Sequence, residues 1–233
     1  MAGTGGGPLR FEEIHTRLRD GTPVLVRPIR PDDKGRLAEG LARLSAESRF
    51  RRFMAPITEL SDEQLAYLTE VDYFDHFAWV AVLGERPDFG IGVGRYVRLE
   101  EDPALAEAAV TVLDDYQGKG LGTLLLGVLA ATARMAGIER FRAFVLEENQ
   151  PMLELLRELG AEAEYDSPGV VRMDIPLRAE LLPDAPAARL LKLAAKLTQS
   201  AREGGRRPRR ATAESGGRSA SRRGRTRTRP GPD

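Results

Sequence analysis

Apolar residues recur at helical spacing along residues 121–132. Leu121, Leu124, Leu125, Val128, Leu129 and Thr132 fall at i, i+3, i+4, i+7, i+8 and i+11, one stripe of a helix that opens at Gly120. Residues 104–113 (ALAEAAVTVL) are a near-continuous apolar run of strand length, and residues 114–119 (DDYQGK) form a tight polar turn between the two. Glycines at 118, 120 and 122 crowd that join, where side chains would block close approach to the backbone.

The other elements arrange themselves around this unit. Residues 22–29 read as a first strand closed by Pro28 and Pro31. Asp32 is placed to cap a helix through residue 44, with Leu37, Leu41 and Leu44 on one side. A second short helix covers 46–53. Ser61-Asp62-Glu63-Gln64 fits a capping box ahead of a third, which carries Leu65 and Leu68. The apolar run 77–83 predicts a strand covered on both faces, and 90–99 a strand paired with it. Gly90-x-Gly92-x-Gly94 is followed by no helix, so it reads as strand bends rather than a phosphate loop. Residues 140–146 predict a fifth strand. Asn149 starts a helix with Met152, Leu155, Leu156 and Leu159, stopped by Gly160. Short strands follow at 163–165 and 170–177. This order predicts an α/β (α+β) fold with a mixed, mostly antiparallel central sheet flanked by helices, unlike strict βαβ alternation.

Composition adds an organisation. The first 19 residues predict a flexible leader, 20–178 a folded domain, 179–200 a C-terminal helix (185–198), and 201–233 a disordered tail. The tail holds eleven arginines against Glu203, Glu214 and Asp233. Because the formal net charge is zero, the first 200 residues carry the matching acidic excess. The chain has no cysteine, which excludes disulfides, thiolate metal sites and cysteine nucleophiles. With only His15 and His76 as imidazoles, a catalytic metal is not expected. No signal-peptide pattern and no apolar run of the ~18–20 residues needed to span a bilayer occur, so the expected compartment is the cytoplasm and no membrane partner is expected.

A helix N-terminus presents unpaired N–H groups and a partial positive charge, so the glycine-lined start at 120 is suited to a phosphate or pyrophosphate. The order Gln117-Gly118-Lys119-Gly120-Leu121-Gly122 resembles the pyrophosphate loop of the GNAT N-acetyltransferases, Gln/Arg-x-x-Gly-x-Gly/Ala. It matches neither a P-loop nor a dinucleotide fingerprint. Within that superfamily, residues 27–33 (RPIRPDD), 44–48 (LSAES), 71–76 (VDYFDH) and 106–109 (AEAA) resemble the bacterial protein lysine acetyltransferases that modify acyl-CoA synthetases, the mycobacterial type above all. The likeness spans roughly residues 20–178. Those relatives carry an N-terminal cyclic-nucleotide-binding domain for which residues before 20 have no room, so control by cyclic AMP is not carried over.

The resemblance implies acetyl-CoA as co-substrate. The amides of Gly118, Lys119, Gly120, Leu121, Gly122 and Thr123 would wrap its pyrophosphate, with Gln117 opening the loop. Val112 and Leu113 would pair with the pantetheine arm, and Asn149 would meet the same arm, although Asn is also a good N-cap. It further implies that Glu107 is the catalytic glutamate. A carboxylate inside an apolar strand needs a task or a partner, and a lysine amine with a solution pKa of about 10.4 must lose a proton before it attacks. His76, beside several aromatics at a strand entrance, is a second candidate for the acceptor pocket or for proton transfer. Many relatives place a tyrosine where Leu156 stands to protonate the leaving thiolate; here Tyr165 or water is the substitute, or the thiolate leaves unassisted. The implied activity is transfer of acetyl to a protein lysine by direct attack. Two other readings stand beside it: acetylation of a small-molecule amine, and a nucleic-acid or ribosome adaptor using the arginine-rich tail.

Overall fold

The computed structural model describes residues 11–177. The expected helix at 185–198, the arginine-rich tail and its nucleic-acid reading lie outside the described residues. The strands are β1 (Ile14–Arg17), β2 (Pro23–Pro28), β3 (His76–Leu83), β4 (Arg86–Arg98), β5 (Leu105–Val112), β6 (Arg140–Leu146), β7 (Glu162–Ser167) and β8 (Val170–Pro176). They form one sheet in the order β1-β2-β3-β4-β5-β6-β8-β7. Every neighbouring pair is antiparallel except β5 and β6, which are parallel. The helices are α1 (Lys34–Arg43), α2 (Ala46–Phe53), α3 (Asp62–Thr69), α4 (Leu121–Met135) and α5 (Gln150–Glu158). The mixed sheet flanked by helices is the architecture that the hydrophobic pattern predicts.

Two apolar layers hold it. On one face Leu125, Val128 and Leu129 of α4, with Leu153 and Leu156 of α5, pack on Phe77, Trp79, Tyr96 and Phe141. Thr132, the one polar member of the α4 stripe, is fully buried; it donates to Val128 O at 2.8 Å and accepts from Trp79 Nε1 at 2.9 Å. On the other face the helices α1 to α3 cover Ile29, Ala78 and Val80 and, further along, Leu113. The strand glycines serve the first layer. A Cβ at Gly92 would stand 3.1 Å from Leu125 Cδ1, and one at Gly94 would stand 3.4 Å from Leu125 Cβ, so both let α4 lie close to the sheet. Opposite them Ala81 pairs with Gly92 and Val82 with Gly90, which leaves Ile91 as a bulge. These glycines are bends and contacts of a strand, as expected.

The structure departs from the sequence pattern at two places. The expected leader at 1–19 contains β1, whose Ile14 is buried opposite Val26. Only one of its four residues, Ile14, is apolar and buried, so the alternation that betrays a strand is too short to read. The helix expected from Asp32 begins instead as a 3-10 turn (Pro31–Asp33) before α1, and Asp33 turns inward. Its carboxylate accepts from Arg27 Nη1 and Nη2 at 2.8 and 2.7 Å, from Arg30 N at 2.8 Å and from Arg36 Nη1 at 2.8 Å. Ser61 and Gln64, by contrast, form the expected capping box of α3.

Arg27 and Asp33 are 5% and 1% exposed. Burial alone would raise the Asp33 pKa, but Arg27, the Arg30 N–H and Arg36 outweigh it and hold it below the ordinary carboxylate value. The stability this provides is therefore full above the unfolded value near ~3.9 and is lost as pH falls through the lower folded value. Asp33→Asn should cost about 3–5 kcal/mol by leaving Arg27 buried and unpaired. Equilibrium denaturation at neutral pH measures it, and a loss below about 1 kcal/mol would show that Arg27 finds another partner.

Candidate active site

The site begins where two strands part. β5 and β6 pair only at Leu105↔Arg140, Ala106↔Phe141 and Glu107↔Arg142. Beyond Glu107, β5 stays zipped to β4 as far as Val112↔Gly92, and β6 stays zipped to β8 as far as Leu146↔Val170. A wedge therefore opens between residues 108–112 and 143–146, with backbone edges on both sides that no ladder satisfies. Leu113 N–H donates to Ile91 O on β4 at 3.0 Å. Backbone groups alternate sides along a strand, so the N–H groups of Val110 and Val112 point the other way, into the wedge.

At the wide end sits the start of α4. Its N-cap, Gly120, has φ +89°, and Gly118 has φ +70°, both in the left-handed region that favours glycine. No side chain caps the helix. Leu124 N–H reaches Gly120 O at 3.0 Å, while the amides of Leu121, Gly122 and Thr123 belong to the first turn and have no carbonyl within the helix. Gly122 is not demanded by packing: a Cβ there would meet only Val112 Cγ2, at 3.9 Å. The space in front of three free amides is thus kept clear, which fits a diphosphate.

The loop before α4 is braced by Gln117, already singled out in the sequence, and by Asp114, Ser45 and Ser48, to which sequence reasoning gave no site role. Asp114, in the 3-10 turn Asp114–Tyr116, accepts from Ser45 N at 3.0 Å, Ser45 Oγ at 2.9 Å and Ser48 Oγ at 2.7 Å. Gln117 Nε2 donates to Ser48 Oγ at 3.2 Å and to Val112 O at 3.1 Å. Gln117 thus anchors the loop to α2 and to the end of β5. Ser45 is the N-cap of α2, a role legible in the sequence; its second partner lies 69 residues away and is not. Lys119 is held by Asp20 at 3.0 Å and lies over the Tyr116 ring.

The remaining candidates divide. Glu107 stands at the apex of the wedge and is exposed rather than partly buried, because its side chain points away from the α4 layer that takes Ala106 and Ala108. Leu113 does not offer its backbone to a ligand: its N–H bonds Ile91 O and its carbonyl accepts from Tyr116 N–H at 2.8 Å. Asn149 is the N-cap residue of α5, yet its side chain makes no cap hydrogen bond, which leaves the amide group available at the mouth of the wedge. Leu156 is buried in the core at 2% exposure, and Tyr165 lies on β7, separated from the wedge by β6 and β8.

His76 faces the same side of the sheet as Glu107, since His76 pairs with Val97 and Val97 with Glu107. Its Nε2 lies 2.9 Å from Arg95 Nη1, a contact in which the imidazole accepts. Burial and then the Arg95 charge push the His76 pKa down to about 4. The ring is therefore neutral at physiological pH and already occupied, which places it beside the site as a partner of Arg95. Among the described residues no cluster of three or more His, Asp or Glu could hold a metal, and no helix is long and apolar enough to cross a membrane.

Comparison with known proteins accords with this geometry. The acetyltransferase (GNAT) domain family matches residues 24–162. The chain is 38% identical over 165 residues to the acetyltransferase Pat of Mycolicibacterium smegmatis, covering 70% of this chain and 49% of that protein, so it spans about half the length of that relative. It is 35% identical to the acetyltransferase PA5475 of Pseudomonas aeruginosa, over 64% of this chain and 80% of that one. Among solved structures, the GNAT domain of PAT from S. lividans superposes with a TM-score of 0.65 at 34% identity, covering 70% of this chain and 96% of the other. With the wedge, the uncapped helix and these matches together, the chain belongs to the GNAT acetyltransferase family.

Proposed function

We propose that this protein transfers the acetyl group of acetyl-CoA to a lysine side chain of a protein, with acyl-CoA synthetases as the substrate class. The carrying observation is the alignment of the wedge: free helix amides at its wide end, inward N–H groups along its side and Glu107 at its apex. The protein substrate is supported by the resemblance of residues 27–33, 44–48, 71–76 and 106–109 to protein lysine acetyltransferases, and by the 38% identity to Pat.

Bound acetyl-CoA supplies an acyl thioester with an electrophilic carbonyl. The chain's own groups do the rest. The Leu121, Gly122 and Thr123 amides and the α4 dipole hold the diphosphate. Val110 and Val112 N–H donate to the extended arm, as an added strand would be held. Asn149 contributes its side-chain amide from the other bank. Glu107 takes the proton from the incoming ammonium, directly or through one water. A wedge-facing N–H stabilises the charge that develops on the carbonyl oxygen. The lysine nitrogen forms the new bond to carbon as the carbon–sulfur bond breaks; no acetyl-cysteine precedes it, since the chain has no cysteine. Leu156 offers no proton from the core, so water protonates the departing thiolate.

Three outcomes test this reading. Glu107→Gln should lower turnover by about 10²–10⁴-fold while coenzyme A affinity is kept; wild-type turnover in that variant would remove Glu107 from the mechanism. Gly122→Glu places a carboxylate where a helix start welcomes one, so thermal stability should hold while calorimetry shows coenzyme A binding weakened by about tenfold or more. Undiminished binding would move the diphosphate elsewhere. For His76, NMR should find ring signals titrating at about 4. The stability that its neutral form contributes is full above the ordinary value near ~6.5 and drains away as pH falls through the folded value. The pH–rate profile should accordingly lack a histidine limb, and a ring midpoint near ~6.5 would show that the Arg95 contact is not kept in solution.

A further inference from the structure

On the sheet face that carries Glu107, a cavity of about 90 Å³ lies beneath α1, α2 and α3. Its walls are mostly apolar, with Leu37, Leu41, Phe53, Leu68, Val80 and Val93. Three arginines also line it, Arg36, Arg52 and Arg95. Their charges are not equally met. Arg36 shares Asp33 with Arg27. Arg95, only 6% exposed, spends its donors on neutral groups, the His76 Nε2 and Leu68 O at 3.0 Å. The Arg52 guanidinium makes no hydrogen bond or ion pair among the described residues and rests over the Phe53 ring at 5.0 Å.

Two largely buried cations thus face one cavity without a paired carboxylate. Burial and then the neighbouring Arg52 charge press the Arg95 pKa down to about 10. Arg52 is likewise lowered by burial, with the negative charge of Glu107 acting the other way. The other groups facing this region are Asp33, already saturated, the neutral His76, and Tyr67, the two rings tilted with centroids 4.9 Å apart. A desolvated cation without a counter-charge is unfavourable until an anion supplies one. The apolar walls select an anion carried on carbon, and the volume, about three waters' worth, suits a carboxylate on one or two methylenes.

We infer that this cavity is the subsite for a carboxylate of the acceptor, with Arg52 as the residue that receives it while the amine is directed to Glu107. This rests on the proposed acetylation of a lysine amine and narrows it: the preferred acceptor carries an acid close to the reacting nitrogen. That acid is either an acidic side chain flanking a lysine in a protein or the carboxylate of a free amino acid.

The test uses the full chain with acetyl-CoA and three lysine peptides identical except for Glu, Gln or Lys at the flanking positions, alongside free Nα-acetyl-lysine and its amide. For wild type, kcat/KM should favour the Glu-flanked peptide over the Gln-flanked one by about tenfold, the discrimination expected of one charge-assisted contact. Preference for Nα-acetyl-lysine over its amide would assign the free amino acid as source instead. Arg52→Gln should erase the preference, Arg52→Lys should keep part of it, and Arg52→Glu should turn it toward the Lys-flanked peptide. Equal turnover of all acceptors by wild type, or an unchanged preference in Arg52→Gln, overturns the subsite and leaves lysine acetylation standing. If wild type acetylates none of them, lysine acetylation falls, and calorimetric titration with butyrate then decides the cavity alone. Binding that weakens by about tenfold in Arg52→Gln supports it, and equal or absent binding overturns it.

Discussion

Three residue pairs join the two halves of the sheet, and the site exists because there are no more. β5 is committed to β4 through Val112 and β6 to β8 through Leu146, each by seven pairs, against three between β5 and β6. The longer ladders win, and twist carries the two halves apart beyond Glu107 and Arg142. The helix α4 bridges beneath, with Leu125 and Leu129 in the same cluster as Phe77 and Phe141, so the parting cannot become a separation. A groove edged by main chain is what results, and main-chain groups that no neighbour satisfies are the natural seat for an extended amide-bearing ligand.

Much of this was legible in the sequence because the signals were local and periodic. The α4 stripe, the covered β3 run, the capping box at Ser61 and Gln64, and the glycine loop all follow from neighbours a few residues apart. The start of α4 at Gly120 was equally legible, since three glycines crowd that strand-to-helix join. What escaped reading depends on residues far apart in the chain. β1 carries one buried apolar side chain, and its pairing partner β2 is what marks it as a strand. The bracing of the loop by Ser45 and Ser48 depends on Asp114. The engagement of both backbone groups of Leu113 depends on which edge of β5 faces β4.

The two titratable candidates illustrate how environment reassigns a residue. Glu107 looked costly in an apolar strand, but the strand's two faces differ: Ala106 and Ala108 meet α4, while Glu107 looks toward the side where α2 lies. His76 has the opposite fate. Arg95 takes its free nitrogen and burial removes its charge, so a residue that composition made conspicuous is a spacer between Tyr67 and the Arg95 guanidinium.

The bracing of the glycine loop carries one more consequence. Asp114 gathers the first turn of α2 through Ser45 and Ser48, and Gln117 bonds the same Ser48 while gripping Val112. The glycine loop and the first turn of α2 therefore stand on one shared footing at Ser48. A displacement of α2 would strain the same hydrogen bonds that hold the loop, so two segments 69 residues apart are tied mechanically.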